Sequence, residues 1–533
     1  MARARIRLEE QRGFDGGLNL SEEIVNLAKN ETFDLQNVDI DKRGGFSLRR
    51  GTRPFINVAT GLPLTQTPDS GYSYVDSTSV RHLLVARGGH VRRWDGAAWQ
   101  DVLVNVGSGT TQFAEFNNLL YILRPGVTVP ATWNGAGLAT VLTTTVGNYN
   151  DNLQAPNFGN FPQCRTFAVW GEVMWAGGVV EATGTFNSRI RWSHPGQPQD
   201  WRTNDYIDIS PDDEAGVIRA MVPLGDRLIV FKDKSVHAVS GAAPGGFSVH
   251  ELTRQIGAAT NAAVTKTESA IYFWDVDTGA WKYDGKEFTH IFQPLFSLID
   301  DSKMNTAFSF QTILQFFRER LYVSLPMTAE PYSNTFITLV YDDNAGKNGA
   351  WTIHTMQPFG WWVHKASVSG GDERLLFGRS GFVFEMDVEN YYYDMSIFGT
   401  EEPIEAWYTT RWFDADNRAT RKRWKRPVFV MQGGSQQEMV VEVLRDYDPS
   451  KVVKSFNVAT LLDPAEGIWD SDDWDDFQWA AETLLAGDKS VILRGSPLGN
   501  GTAIALRMKN VAPGQDWRLM GLTMKWIDKR LRN

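Results

Sequence analysis

One hairpin pattern recurs seven times along this chain, and it limits the possible folds more than any other feature. The pattern is a short apolar run, a turn, an aromatic residue, then often Asp-Gly or Asn-Gly and a second aromatic. The clearest copy is His82-Leu83-Leu84-Val85-Ala86, then Gly88-Gly89, then Trp94-Asp95-Gly96-Ala97-Ala98-Trp99. Another runs through Tyr272-Phe273-Trp274, then Trp281-Lys282-Tyr283-Asp284-Gly285 and Phe288. A lone hairpin of this kind cannot bury its apolar faces. Repeated hairpins can bury them against one another, as the blades of a propeller do.

The apolar runs begin near Leu83, Leu119, Val173, Leu228, Ile271, Leu321 and Leu375. Their spacing, about 36 to 55 residues, brackets the roughly 40–50 residues of a four-stranded blade. Period-2 alternation is clear in Arg227-Leu228-Ile229-Val230-Phe231 and again in Ser235-Val236-His237-Ala238-Val239, with Lys232-Asp233-Lys234 as the polar turn between. The signature weakens in the fourth copy, which ends in Ser240-Gly241. It stretches in the sixth, from Tyr341 to Trp351. Residues 61–400 therefore predict a β-propeller of about six to eight blades.

The flanks read differently. Residues 1–60 predict an extended N-terminal arm and lead-in strands. Within them, Ser21-Glu22-Glu23-Ile24 predicts a short helix capped by Ser21. Residues 401–533 predict a β-sandwich or jelly-roll-like domain. Six strands are expected there, at Ile404–Phe413, Arg426–Met431, Met439–Leu444, Val491–Leu493, Ala503–Met508 and Leu519–Trp526. The length of 533 residues suits two or three domains. The 20 Trp, 48 Gly and 22 Pro suit short strands joined by tight turns, so the fold class is all-β.

Charge and cysteine content narrow the function. The net charge of −10 argues against gripping nucleic acid by phosphate neutralisation, though it suits a conduit past which DNA slides. The one cysteine, Cys164, allows neither an intramolecular disulfide nor a Cys-based zinc site. Residues 1–10 lack the apolar core of a signal peptide, and no run of 18 apolar residues predicts a membrane span. The phosphate loop, the zinc-protease helix and the nucleophile elbow are all missing from the sequence, so no catalytic residue and no cofactor are predicted. His354 and His364 read as structural. Asp275, Asp277 and Asp284 sit where turns favour Asp.

Two charged segments stand out. Arg418, Arg421, Lys422, Arg423, Lys425 and Arg426 form a basic run around Trp424. Asp470, Asp472, Asp473, Asp475 and Asp476 form an acidic run with Trp469 and Trp474. The basic run reads as a solvated strand entry, a charge-complementary protein interface or a DNA contact. The acidic run reads as a solvated loop. Ca²⁺ is an alternative there, against which the spaced calcium-loop pattern is missing. Paired across subunits, Arg421, Lys422, Arg423 and Arg426 would meet the five aspartates, and these nine are the candidate inter-subunit contacts.

Three stretches carry a family resemblance. Phe14-Asp15-Gly16-Gly17-Leu18-Asn19, with Leu35 to Asp41 and Gly44 to Gly51, resembles the N-terminus of many tailed-phage structural proteins. Arg189-Ile190-Arg191-Trp192-Ser193-His194-Pro195-Gly196 with Asp200-Trp201, and Leu224 to Lys232 with Val239-Ser240-Gly241, are similar to the segments that follow in them. Together they resemble the tail nozzle, or tail tubular protein B-like, component of short-tailed phages. The resemblance implies a virion tail protein that is not an enzyme. It implies a ring of copies of itself, usually a hexamer, below the portal and its adaptor or head-to-tail connector. DNA passes through such a ring, and fibres or spikes attach around it. The rival expectation is a receptor- or glycan-binding propeller, including one that cleaves glycans.

Overall fold

The computed structural model describes residues 6–55, 67–104, 110–124, 130–142, 161–211, 216–243, 246–300, 303–328, 336–365, 373–388, 391–433, 437–460, 491–510, 514–515 and 517–528. Among them, seven four-stranded antiparallel sheets follow one another along the chain. Their first strands are Ser70–Val75, Gln112–Phe116, Gln163–Trp170, Ile218–Leu224, Val264–Lys266, Ile313–Phe317 and Trp361–Lys365. Each packs beside the next, and the last returns to the first. The ring is closed, so the sheets are the blades of a propeller, seven in number.

The seven apolar runs of the sequence are the second strands of these blades, from Arg81–Arg87 in the first to Glu373–Arg379 in the seventh. They are apolar on both faces because a blade between two neighbours has no wet face there. Leu84 and Ala86 pack on Leu120 and Ile122 of the second blade, while Leu83 and Val85 pack on Trp362 and Leu376 of the seventh. Every adjacent pair of blades shares such a buried cluster.

The aromatic Asp-Gly signature is the hairpin joining third and fourth strands. Trp94 lies opposite Trp99, ring centroids 5.3 Å apart. The Asp95 carboxylate accepts the N–H groups of Ala97 and Ala98, and Gly96 supplies a φ of 99°. Tyr283 and Phe288 repeat the arrangement at 4.5 Å around Asp284.

The seventh blade has three strands from its own stretch of chain. Its fourth is Arg53–Pro54, which pairs with Phe384 and Glu385. Proline is tolerated because this is an outer edge. The propeller is thus closed by a piece of chain that precedes it.

The six strands expected after residue 401 are present within a two-sheet sandwich. One sheet centres on Trp517–Asp528, flanked by Val428–Gly433 and Lys422–Trp424. The other contains Trp407–Thr409, Ile504–Asn510, Gln437–Arg445 and Asp448–Thr460. Alternate residues face inward: Met439, Val441 and Val443 from one sheet meet Leu522, Met524 and Trp526 from the other.

The lead-in stretch is extended, as its sequence predicts, but it does not hang free. Arg7–Gln11 and Phe46–Leu48 pair with Trp517–Asp528, and Asp34–Gln36 pairs with Trp407–Thr409. The sandwich is therefore built from both ends of the chain, with the propeller inserted between them. The helix predicted from Ser21 is absent. Asn19 Oδ1 accepts the N–H groups of Ser21 and Glu22, and the Ser21 hydroxyl donates to the Gln293 carbonyl, so the cap serves a turn. Where the lead-in crosses the sixth blade, Asp39 meets Arg320 at 2.9 Å and His354 at 3.3 Å.

Candidate subunit interface

Strand phase decides what the basic run can do. In Lys422–Trp424, Lys422 and Trp424 point inward and are fully buried. The Lys422 ammonium donates to the carbonyls of Thr420 (3.0 Å), Thr502 (3.1 Å) and Asn417. Burial lowers its pKa. Lys422 is thus a structural cation tying two loops together, which corrects its expected place as a subunit contact. Arg418 is also spoken for, bound to Asp414 and to the Val25 carbonyl.

Arg421, Arg423 and Arg426 are exposed, with no ion-pair partner among the described residues. Arg423 lies opposite Ile527, Leu8 opposite Lys525, and Val428 opposite both Thr523 and Arg494. These residues share the outer face of the sheet. There Arg423, Lys425, Arg426, Arg494 and Lys525 line a groove of roughly 1100 Å³ together with Ile6, Val428 and Ile527. Asp528 is the acidic residue on its rim.

The same face carries bare apolar side chains. Ile492 is 70% exposed, Leu8 60% and Ile6 58%. A sandwich face that meets only water is normally polar. Bare apolar side chains beside cations that have no ion-pair partner among the described residues make a composition suited to contact with an acidic protein surface. Nothing in the basic run itself points to Arg494, Lys525, Ile6 and Leu8. They come from three separate stretches of chain, and only the pairing brings them together. The alternation in Val491–Arg494 is the signal that could have marked Ile492 and Arg494 as outward.

Asp470, Asp472, Asp473, Asp475 and Asp476, and any calcium site on them, lie outside the described residues. The two histidines part company: His354 faces Asp39, and His364 accepts or donates to the Ser73 hydroxyl at 3.1 Å. Asp275 and Asp284 hold their own turns through backbone N–H groups.

A second concavity lies at one mouth of the propeller, where blades two to five converge. Its volume is about 390 Å³, and Gln112, Gln163, Asn261, Arg219 and Phe310 line it. Phe310 is 57% exposed. The Gln112 amide is committed to the Arg165 carbonyl and to Thr166.

No family model matches this chain, and no curated protein matches it. Among solved structures, the chain is similar to BBS1N in complex with ARL6DN at 10% identity and a TM-score of 0.36, over 64% of this chain and 97% of that one. YCF48 from Cyanidioschyzon merolae gives 11% identity and a TM-score of 0.35 over 63% and 98%. YCF48 bound to D1 peptide gives 10% and 0.37 over 67% and 100%. The fold itself rests on the closed ring of first strands.

Proposed function

We propose that this chain is a structural subunit of a short phage tail, which joins copies of itself into a nozzle-like ring below an adaptor. DNA passes through the ring, and fibres or spikes attach to it. The reading is of a virion tail component and not of an enzyme. The observation that carries it is the sandwich's outer face, where bare apolar side chains lie beside arginines and lysines that have no ion-pair partner among the described residues. Such a face is an unfinished interface. The motifs from Phe14 to Gly51 and from Arg189 to Trp201 supply the resemblance that names the assembly. The acidic balance of the whole chain suits a passage that DNA does not stick to.

The rival reading, a glycan-binding propeller, is favoured by the concavity that Phe310 borders, since the Gln163 and Asn261 amides beside an exposed aromatic suit a sugar face. The two readings separate by fractionation. The tail reading expects the chain to remain with purified particles through a density gradient and to bind no glycan through Phe310. A chain absent from particles that binds glycan, and loses binding on Phe310→Ala, contradicts it.

A further inference from the structure

The most exposed large hydrophobic side chain among the described residues is Phe398, at 81%. It sits at the tip of a hairpin, Tyr393–Met395 paired with Glu401–Pro403, that leaves the seventh blade. The tip is built on a firm base. Arg49, almost fully buried, grips the Asp394 carboxylate, which holds that carboxyl below its usual range although burial works the other way. Met395 N–H donates to the Thr52 carbonyl at 2.8 Å, and Gly51 N–H to the Tyr391 carbonyl at 2.7 Å. Beside the tip stand the exposed Glu401 and Glu402, the first two residues of the returning strand. An apolar knob with an acidic flank is the complement of an apolar groove with a basic rim.

The knob cannot reach the groove of its own chain. Gly514 N–H donates to the Tyr392 carbonyl, so the hairpin is rooted near the start of the 12-residue strand Trp517–Asp528. Lys525 and Ile527 line the groove toward the other end of that strand, roughly 26 and 33 Å from Trp517 at 3.3 Å per residue. The hairpin tip reaches only about 17 Å from Tyr393 on the same scale. The two complementary surfaces are therefore at opposite ends of one sandwich.

We infer that the Phe398 hairpin of one copy docks in the Arg423–Arg426–Arg494–Lys525 groove of the next. This inference rests on the ring reading above and gives it a contact. Different surfaces meet, so the joint is head-to-tail, and a head-to-tail joint that closes makes a ring. Because the hairpin base is already fixed, little ordering is needed on docking, which favours Phe398 as the anchor of the joint.

Charge-reversed pairs test it. One variant carries Arg423→Glu and Arg426→Glu in the groove; the other carries Glu401→Arg and Glu402→Arg on the hairpin. Each has one faulty end. Sedimentation of the full chain should show that each variant alone needs at least about tenfold more protein to assemble. An equimolar mixture should recover assembly, since each reversed end then finds a reversed partner. Unchanged thermal unfolding shows that both variants fold. If the wild type forms rings and both variants do so equally well, the docking inference is overturned and the ring reading stands. Loss in both variants without recovery on mixing also overturns it. A wild type that stays monomeric at every concentration overturns the ring reading and the docking together.

Discussion

At the scale of single residues, side chains in this molecule are legible only once their face is known. Asp39 is an example. Burial alone would raise its pKa, but the Arg320 guanidinium and His354 outweigh that and hold the carboxyl well below the usual carboxylate range. A carboxyl with a depressed folded-state pKa contributes stability that is fully present above its unfolded value, near 4, and is lost as pH falls below it. Asp39→Asn should cost about 1–3 kcal/mol at pH 7, since Arg320 loses one carboxylate and keeps Asp342 at 3.3 Å. The gap from wild type should narrow between about pH 4 and pH 2, which melting curves across that range would measure. A gap that stays constant with pH contradicts the assignment. The basic run teaches the same point. Lys422 and Arg423 are neighbours in sequence, yet one ties loops inside the sandwich and the other lines an open groove. Composition could flag the run. Only the alternation of the strand sorts its members.

At the scale of elements, the strongest sequence signal and the strongest packing coincide. The second strand of each blade is buried on both faces, so it reads as an apolar run. The Asp-Gly hairpins are weaker packers than their aromatics suggest. Trp94 and Trp99 are half-exposed at the rim between blades seven and one. Trp175, in a second strand, is fully buried against Trp170, Trp192 and Phe247. Trp175→Ala should therefore cost about 3–5 kcal/mol. Trp99→Ala should cost far less, on the order of 1 kcal/mol, which is what a half-exposed ring pair supplies. Chemical denaturation of the two variants checks this, and equal losses contradict it. What escaped reading is the partners of the short lead-in strands. Phe46–Leu48 and Arg53–Pro54 are three and two residues long and belong to different sheets. Their strand character comes from the partners they meet, which lie more than 300 residues away in sequence for Arg53–Pro54.

At the scale of the whole molecule, the two ends of the chain make one sandwich and fasten the propeller shut. The change of texture near residue 401 is legible in the sequence, but the return of the N-terminal stretch to the C-terminal strands is not, because pairing at that separation leaves no local pattern. Deleting residues 1–55 should remove two of the strands that pair with Trp517–Asp528 and the last strand of the seventh blade at once. The deleted chain should lose cooperative unfolding, which calorimetry would report. A sharp transition at the wild-type temperature contradicts this. The same architecture leaves a knob at one end of the sandwich and a groove at the other, which is the geometry a ring requires. Electron microscopy of the purified full-length chain tests that claim most directly. The account predicts closed rings of one cyclic symmetry with propellers arranged around a channel. Isolated single propellers at every concentration, or open filaments without closure, would contradict it.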